Sequence, residues 1–226
     1  MNRQDRPLPD VKPITRIQEN LVARVERRLL TWLCARLPAW VTPDQLTSLG
    51  LVGAAMVFVG YGLSTVDICW LGLAIAGFFV HWFGDSLDGS LARFRSIERP
   101  RFGYFIDHSA DGLGNLMIVG GLGISPFVRL DVALLALAGY YLLSIHAFLS
   151  ARIIGELRLS YVAAGPTELR LLLIAMTVLM FVLGRDTTPP LFNGFDIFVG
   201  VVAAIMITIF VVQTISVARL ILRQGE

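Results

Sequence analysis

The residues 85–111, DSLDGSLARFRSIERPRFGYFIDHSAD, hold four aspartates between strongly apolar stretches. Asp85 and Asp88 are three apart, and Asp107 and Asp111 are four apart. On a helix, both spacings put the paired carboxylates on one face, about 5–6 Å apart. The ten-residue link ARFRSIERPR is short enough to make two such helices antiparallel neighbours, so the pairs can face one another. Four facing carboxylates repel unless cations or protons lie between them. Lys or Arg partners inside the spans are expected to be absent, which leaves hard divalent cations with oxygen ligands, Mg²⁺ or Mn²⁺. Four aspartates suffice to bridge two such ions, the arrangement that serves phosphoryl displacement. Small residues surround the carboxylates: Gly89 and Ala92 follow Asp88, and Gly103 precedes Asp107 by four. Arg93 can hold a diphosphate through a bidentate fork.

The elements that must carry these residues are membrane helices. The 226 residues are 55% hydrophobic and 16% charged, against about 25% charged for a soluble domain. Mean hydropathy is +0.70. Several apolar runs reach the ~20 residues that span a bilayer. The expected fold class is an all-α membrane protein with spans near 43–63, 68–92, 102–125, 131–153, 167–185 and 194–220. A single amphipathic helix is expected over 14–37, lying in the membrane interface, with Ile14, Ile17, Leu21, Val25, Leu29, Trp32 and Leu33 on its apolar face. The chain thus divides into a tail and juxtamembrane helix, 1–37, and a six-helix transmembrane catalytic domain, 38–226. Residues 1–13 lack the pattern of a cleavable signal. Cys34 and Cys69 make no disulfide framework.

Orientation follows from the basic residues. With six spans, all of the 19 Lys and Arg except Arg129 and Arg185 fall on the side of the two termini. The positive-inside rule makes that side cytoplasmic, together with the aspartate segment. No nucleic-acid partner is expected.

The pattern Asp85-x-x-Asp88-Gly89-x-x-Ala92-Arg93, nine residues, Gly103-x-x-x-Asp107-x-x-x-Asp111 resembles the signature of the CDP-alcohol phosphotransferases, with all eight positions filled. The resemblance extends to the juxtamembrane helix and the six spans. It implies homodimers of six-helix subunits, with a polar cavity open to the cytoplasm of the cell's inner membrane. It implies that Asp85, Asp88, Asp107 and Asp111 bind two divalent ions, and that Asp111 is also the base for the acceptor hydroxyl. Gly89, Ala92, Arg93 and Gly103 would serve the nucleotide part of a CDP-linked donor. The stretch VTPDQLTS is similar to a second family element, which assigns Asp44, Gln45, Leu46 and Thr47 to the nucleotide. Relatives often carry Asn in place of Asp44, and Ser or Thr where Pro100 stands, so Pro100 is left out of the site.

Other polar residues receive plainer readings. His81 and His108 fall off the carboxylate face and are expected to pack. Arg152 and Arg170 flank the cytoplasmic ends of the fourth and fifth spans. They can bind an anionic acceptor, or they can simply follow topology. The glycine-rich GLGNLMIVGGLG sits in an apolar span and reads as close helix packing. The expected reaction moves a phosphatidyl group from CDP-diacylglycerol to a polar alcohol, such as inositol phosphate or glycerol phosphate, with release of CMP. Two other readings stand beside it: transfer from CDP-choline or CDP-ethanolamine to diacylglycerol, and a divalent-cation transporter. Against the transporter, polar residues do not continue through the far halves of the spans.

Overall fold

A computed structural model describes residues 15–17, 21–154, 156–158, 166–184 and 193–223. The tail before Thr15 and Arg185 lie outside them. Helices α1 (Leu21–Cys34), α2 (Pro43–Leu63), α3 (Leu71–Phe94), α4 (Pro100–Ile124), α5 (Leu130–Ile154), α6 (Pro166–Leu183) and α7 (Gly194–Arg223) make up nearly all of the described structure. The last six coincide with the six expected spans to within a few residues. Four helical segments, Pro43–Leu63, Ile68–Phe94, Leu130–Ile153 and Gly194–Arg223, are long and apolar enough to cross a membrane. This is the architecture of a multi-pass membrane protein. In α4 the first half is polar, carrying Arg101, Asp107 and Asp111; α6 has 18 residues and starts with Glu168 and Arg170.

The helix expected from residue 14 begins instead at Leu21. Thr15–Ile17 forms a short strand, β1, parallel to β2 (Glu156–Arg158), with Thr15 opposite Glu156. Two of its three residues are β-branched, which favours the extended state. The buried stripe of α1 is not the expected one: Leu30 and Cys34 are buried with Leu46, Leu87 and Leu91 of α2 and α3, and Leu33 packs against them. Leu29 and Trp32, expected on the apolar face, are exposed, Trp32 under the Arg36 guanidinium.

Helix α2 starts in a capping box. Thr42 Oγ1 accepts from the Gln45 N–H, and Gln45 Oε1 accepts from the Thr42 N–H, which satisfies donors that a helix start leaves open. Pro43 fits the first turn because its missing N–H has no intrahelical partner there. Helices α2 and α3 then pack backbone to backbone. A Cβ added to Gly53 would stand 2.2 Å from the His81 backbone nitrogen, and one on Gly84 would stand 2.3 Å from that of Gly50. Only glycine permits that approach. Gly121 likewise lies against the Phe58 backbone, in keeping with the packing role expected for the glycine-rich stretch of α4.

The core joins α2, α3, α4, α6 and α7 through Val57, Tyr61, Phe78, Leu122, Met180 and Val199. The Tyr61 hydroxyl meets Thr177 Oγ1 at 2.6 Å inside it. Arg95, at the C-terminal end of α3, donates to the carbonyls of Leu37, Pro38, Ala39 and Val41. One guanidinium thereby fixes the linker between α1 and α2. At the opposite end of the bundle, buried Asp196 accepts from the backbone N–H groups of Arg129 and Asn193. That pins the start of α7 to the α4–α5 turn.

Candidate active site

The close α2–α3 contact delivers Thr47 to Asp88. Thr47 Oγ1 donates to Asp88 Oδ2 at 2.6 Å, and Asp88 is only 6% exposed. One turn earlier on α3, Asp85 accepts from Arg170 Nη2 at 2.7 Å. The sequence suggested no basic partner for the aspartates; the fold supplies one from the first turn of α6. Asp85 and, on α4, Asp111 line the same cavity. Carboxylates that share a cavity repel unless a proton or a cation lies between them.

On α4, Asp107, His108 and Asp111 each offer a ligand atom, and the three atoms lie within 4.8 Å of one another. His108 Nδ1 is 3.5 Å from Asp111 Oδ2 and 4.0 Å from Asp107 Oδ2. His108 was expected to pack away from the carboxylates. It does pack, edge-on to Tyr104 and against Phe148, but its ring nitrogen turns to the acidic face. The signal was present in the sequence, since His108 and Asp111 are helix neighbours at i,i+3.

These groups line one end of a cavity of about 780 Å³, within the range of small-molecule sites. Along α4 its wall changes from acidic to apolar, through Asp107, Asp111, Asn115, Ile118 and Leu122. Leu173, Met176 and Val199 line it from α6 and α7. Glu26 and Arg27 of α1 reach it as well, which sequence reasoning did not anticipate, as do Tyr140 and Tyr141. The Tyr141 hydroxyl donates to the Gly112 carbonyl at 2.8 Å.

The remaining expected site residues divide. Gly89 and Arg93 line the cavity, with the Arg93 guanidinium folded against Gly89, where a Cβ would stand 3.3 Å from Nη1. Ala92 lies on the same stretch of α3 outside the cavity wall, and Gly103 faces open space. Asp44 is exposed and paired with Arg99; Gln45 caps α2 and Leu46 is buried in the core. Of that quartet, Thr47 alone touches the carboxylates, through Asp88. Arg152 is exposed and outside the cavity wall, whereas Arg170 is in it. His81 is buried with Nδ1 3.0 Å from the Gly50 carbonyl, but contrary to expectation it shares the cavity wall with Asp85, its i+4 neighbour on α3.

The donor set fits a divalent cation: it is dominated by carboxylate oxygens, brought together from two helices, and outnumbers its basic partners. The chain is thus a helical membrane protein with an acidic cluster in a cavity whose wall is part polar and part apolar. The comparisons agree with that class. A family model described as CDP-alcohol phosphatidyltransferase matches residues 40–223, and the chain belongs to that family. It is 33% identical over 104 residues to archaetidylinositol phosphate synthase of Pyrococcus horikoshii, covering 46% of this chain and 52% of that protein. It is 31% identical over 101 residues to human cholinephosphotransferase 1, covering 42% of this chain and 25% of that protein. The chain thus matches about half the length of the first relative and a quarter of the second.

Proposed function

We propose that this protein transfers the phosphatidyl group of a CDP-linked lipid, with CDP-diacylglycerol as the donor, to the hydroxyl of a polar alcohol, releasing CMP. The observation that carries the reading is the placement of Asp85, Asp88, Asp107 and Asp111 around the polar head of a cavity whose deeper wall is apolar. A donor with acyl chains and a diphosphate needs both surfaces at once. Six spans, a homodimer, an inner-membrane location and a cytoplasmic active site belong to the same reading. The basic residues on the termini's side support the orientation.

In this scheme the four aspartates, with His108 beside two of them, would hold two Mg²⁺ or Mn²⁺ ions. When bound, such ions neutralise the diphosphate and stabilise the charge that gathers on the departing phosphate. Thr47 holds Asp88 in one orientation through its hydroxyl. Arg93 is placed to take a diphosphate oxygen, with Gly89 leaving room for it. Asp111 accepts the proton of the acceptor hydroxyl, whose oxygen attacks the lipid-side phosphorus. The phosphoanhydride bond breaks and CMP leaves. A positioned base of this kind contributes about 10²–10⁴ in rate. The apolar wall from Ile118 to Val199 receives acyl chain.

A phosphorylated acceptor such as inositol phosphate is favoured over choline or ethanolamine, because Arg170 and Arg93 bring cations to the same cavity. The similarity to an archaetidylinositol phosphate synthase points the same way. The test is CMP release from CDP-diacylglycerol by the purified chain, with inositol phosphate, glycerol phosphate, serine and, using CDP-choline, diacylglycerol in parallel. The expected result is turnover with a phosphorylated alcohol, abolished by a chelator and restored by Mg²⁺ or Mn²⁺. Full turnover in chelator would end the metal scheme, and turnover with serine or diacylglycerol alone would end the choice of acceptor.

A further inference from the structure

Glu26 belongs to α1, outside the six long helices, yet its carboxylate is held by two of them. Trp82 Nε1 of α3 donates to Oε1 at 2.9 Å. Thr167 Oγ1 of α6 lies 3.3 and 3.2 Å from the two oxygens. Trp82 is one turn before Asp85, and Thr167 is one turn before Arg170. The Asp85–Arg170 ion pair, at 2.7 Å, therefore has a second link beside it that ties the same two helices through α1. Hydrogen bonds to an ionised acceptor are stronger than neutral ones. Both donors come from residues far away in sequence, so the link fixes tertiary position rather than local helix geometry.

We propose that Glu26 is a positioning residue: it holds the first turn of α6 against α3 and so sets where the Arg170 guanidinium meets the carboxylate cluster. Helix α1 is then part of the frame of the site. A carboxylate suits the place because two donors approach it from different helices. Glutamine retains one acceptor oxygen and alanine none. The inference rests on the phosphotransferase reading for its activity arm, and it has a second arm that does not.

The experiment compares the full chain in lipid nanodiscs with Glu26→Ala, Glu26→Gln, Arg170→Ala and the Glu26→Ala/Arg170→Ala double variant. CMP release is measured against acceptor concentration. In parallel, the emission of Trp82 is isolated as the difference between each protein and the same protein carrying Trp82→Phe. Glu26→Ala is expected to lower kcat/KM for the acceptor about tenfold, the usual scale for losing a hydrogen bond to a charged group, with Glu26→Gln restoring most of it. Because Glu26 acts through Arg170, the double variant should be no worse than Arg170→Ala alone. Glu26→Ala should also shift the Trp82 difference emission, which Arg170→Ala leaves in place. Losses that multiply in the double variant would overturn the proposal, since Glu26 would then act independently of Arg170. So would an Arg170→Ala protein with full turnover, or a Trp82 emission indifferent to Glu26→Ala. Absence of CMP release by the unsubstituted chain would overturn the phosphotransferase reading alone, and the emission arm would still judge the link.

Discussion

Gly53→Ala tests whether the α2–α3 contact sets the active site. The added Cβ would meet the His81 backbone nitrogen at 2.2 Å. Because the obstructing atom is backbone, no rotamer change relieves it, and the two helices must separate locally by about 1 Å to reach ordinary contact. Overpacking of this kind costs about 1–3 kcal/mol. The same displacement carried along α2 would stretch the Thr47–Asp88 bond from 2.6 Å to about 3.6 Å, where a hydrogen bond is lost. A lost bond to a carboxylate adds about 1.5–3 kcal/mol, or roughly ten- to hundredfold in donor affinity. The control is Gly72→Ala on α3, where the new Cβ meets nothing within 4 Å and a gain of about 0.4–1 kcal/mol is expected. Both proteins would be assayed in lipid nanodiscs by denaturation and by CDP-diacylglycerol binding. Gly53→Ala with unchanged stability and unchanged donor affinity would refute the claim that this glycine contact positions Asp88.

Two further substitutions separate binding from chemistry. Asp111→Asn keeps an oxygen in place and removes the base, so turnover should fall at least a hundredfold while CDP-diacylglycerol still binds; turnover within about twofold of the original would exclude Asp111 as the base. Gly103→Ala adds a methyl where nothing lies within 4 Å, so thermal unfolding should stay level or rise slightly. If the resemblance assigns Gly103 correctly to the nucleotide, KM for the donor should nevertheless rise several-fold, and an unchanged KM would remove Gly103 from the site.

The sequence and the structure agree best where information is local. Apolar runs bounded by Pro43, Pro100, Pro166 and Gly194 reproduce the starts of α2, α4, α6 and α7, because proline and charge both mark where a buried helix can begin. The pairing of aspartates at i,i+3 and i,i+4 put them on the right faces for the same reason. What was not legible is what depends on contacts across the chain. Arg170 meets Asp85 over 85 positions, and Glu26 meets Thr167 over 141. No periodicity within one helix reports such a meeting. The quartet 44–47 shows a motif resolved into separate duties: an exposed ion pair, a helix cap, a core residue and a hydrogen-bond donor to Asp88. The first strand escaped notice because Ile14 and Ile17 continue the helical spacing of α1, and only the partner at 156–158 makes the extended state pay.

The balance of charge explains why the site is arranged to bind its groups together. Glu26, Asp85, Asp88, Asp107 and Asp111 place five carboxyl groups on the cavity wall, against the three guanidinium groups of Arg27, Arg93 and Arg170. A CDP diphosphate entering that space unaided would add negative charge to a net negative wall, in surroundings less polar than water where repulsion is strong. Under the proposed function two divalent cations would reverse the sign, so each group would stabilise the other, the linkage expected when ligands share a charged site. Arg170 alone could not achieve this, because it is already committed to Asp85 at 2.7 Å. Its contact with Asp85 ties α6 to α3 beside the carboxylates. Under the proposed function the ion pair and the cations would be complementary, the arginine tying the helices together and the cations admitting the diphosphate. Under the proposed function the aspartates sit beside hydrocarbon because the donor's chains and its diphosphate must be held in one cavity.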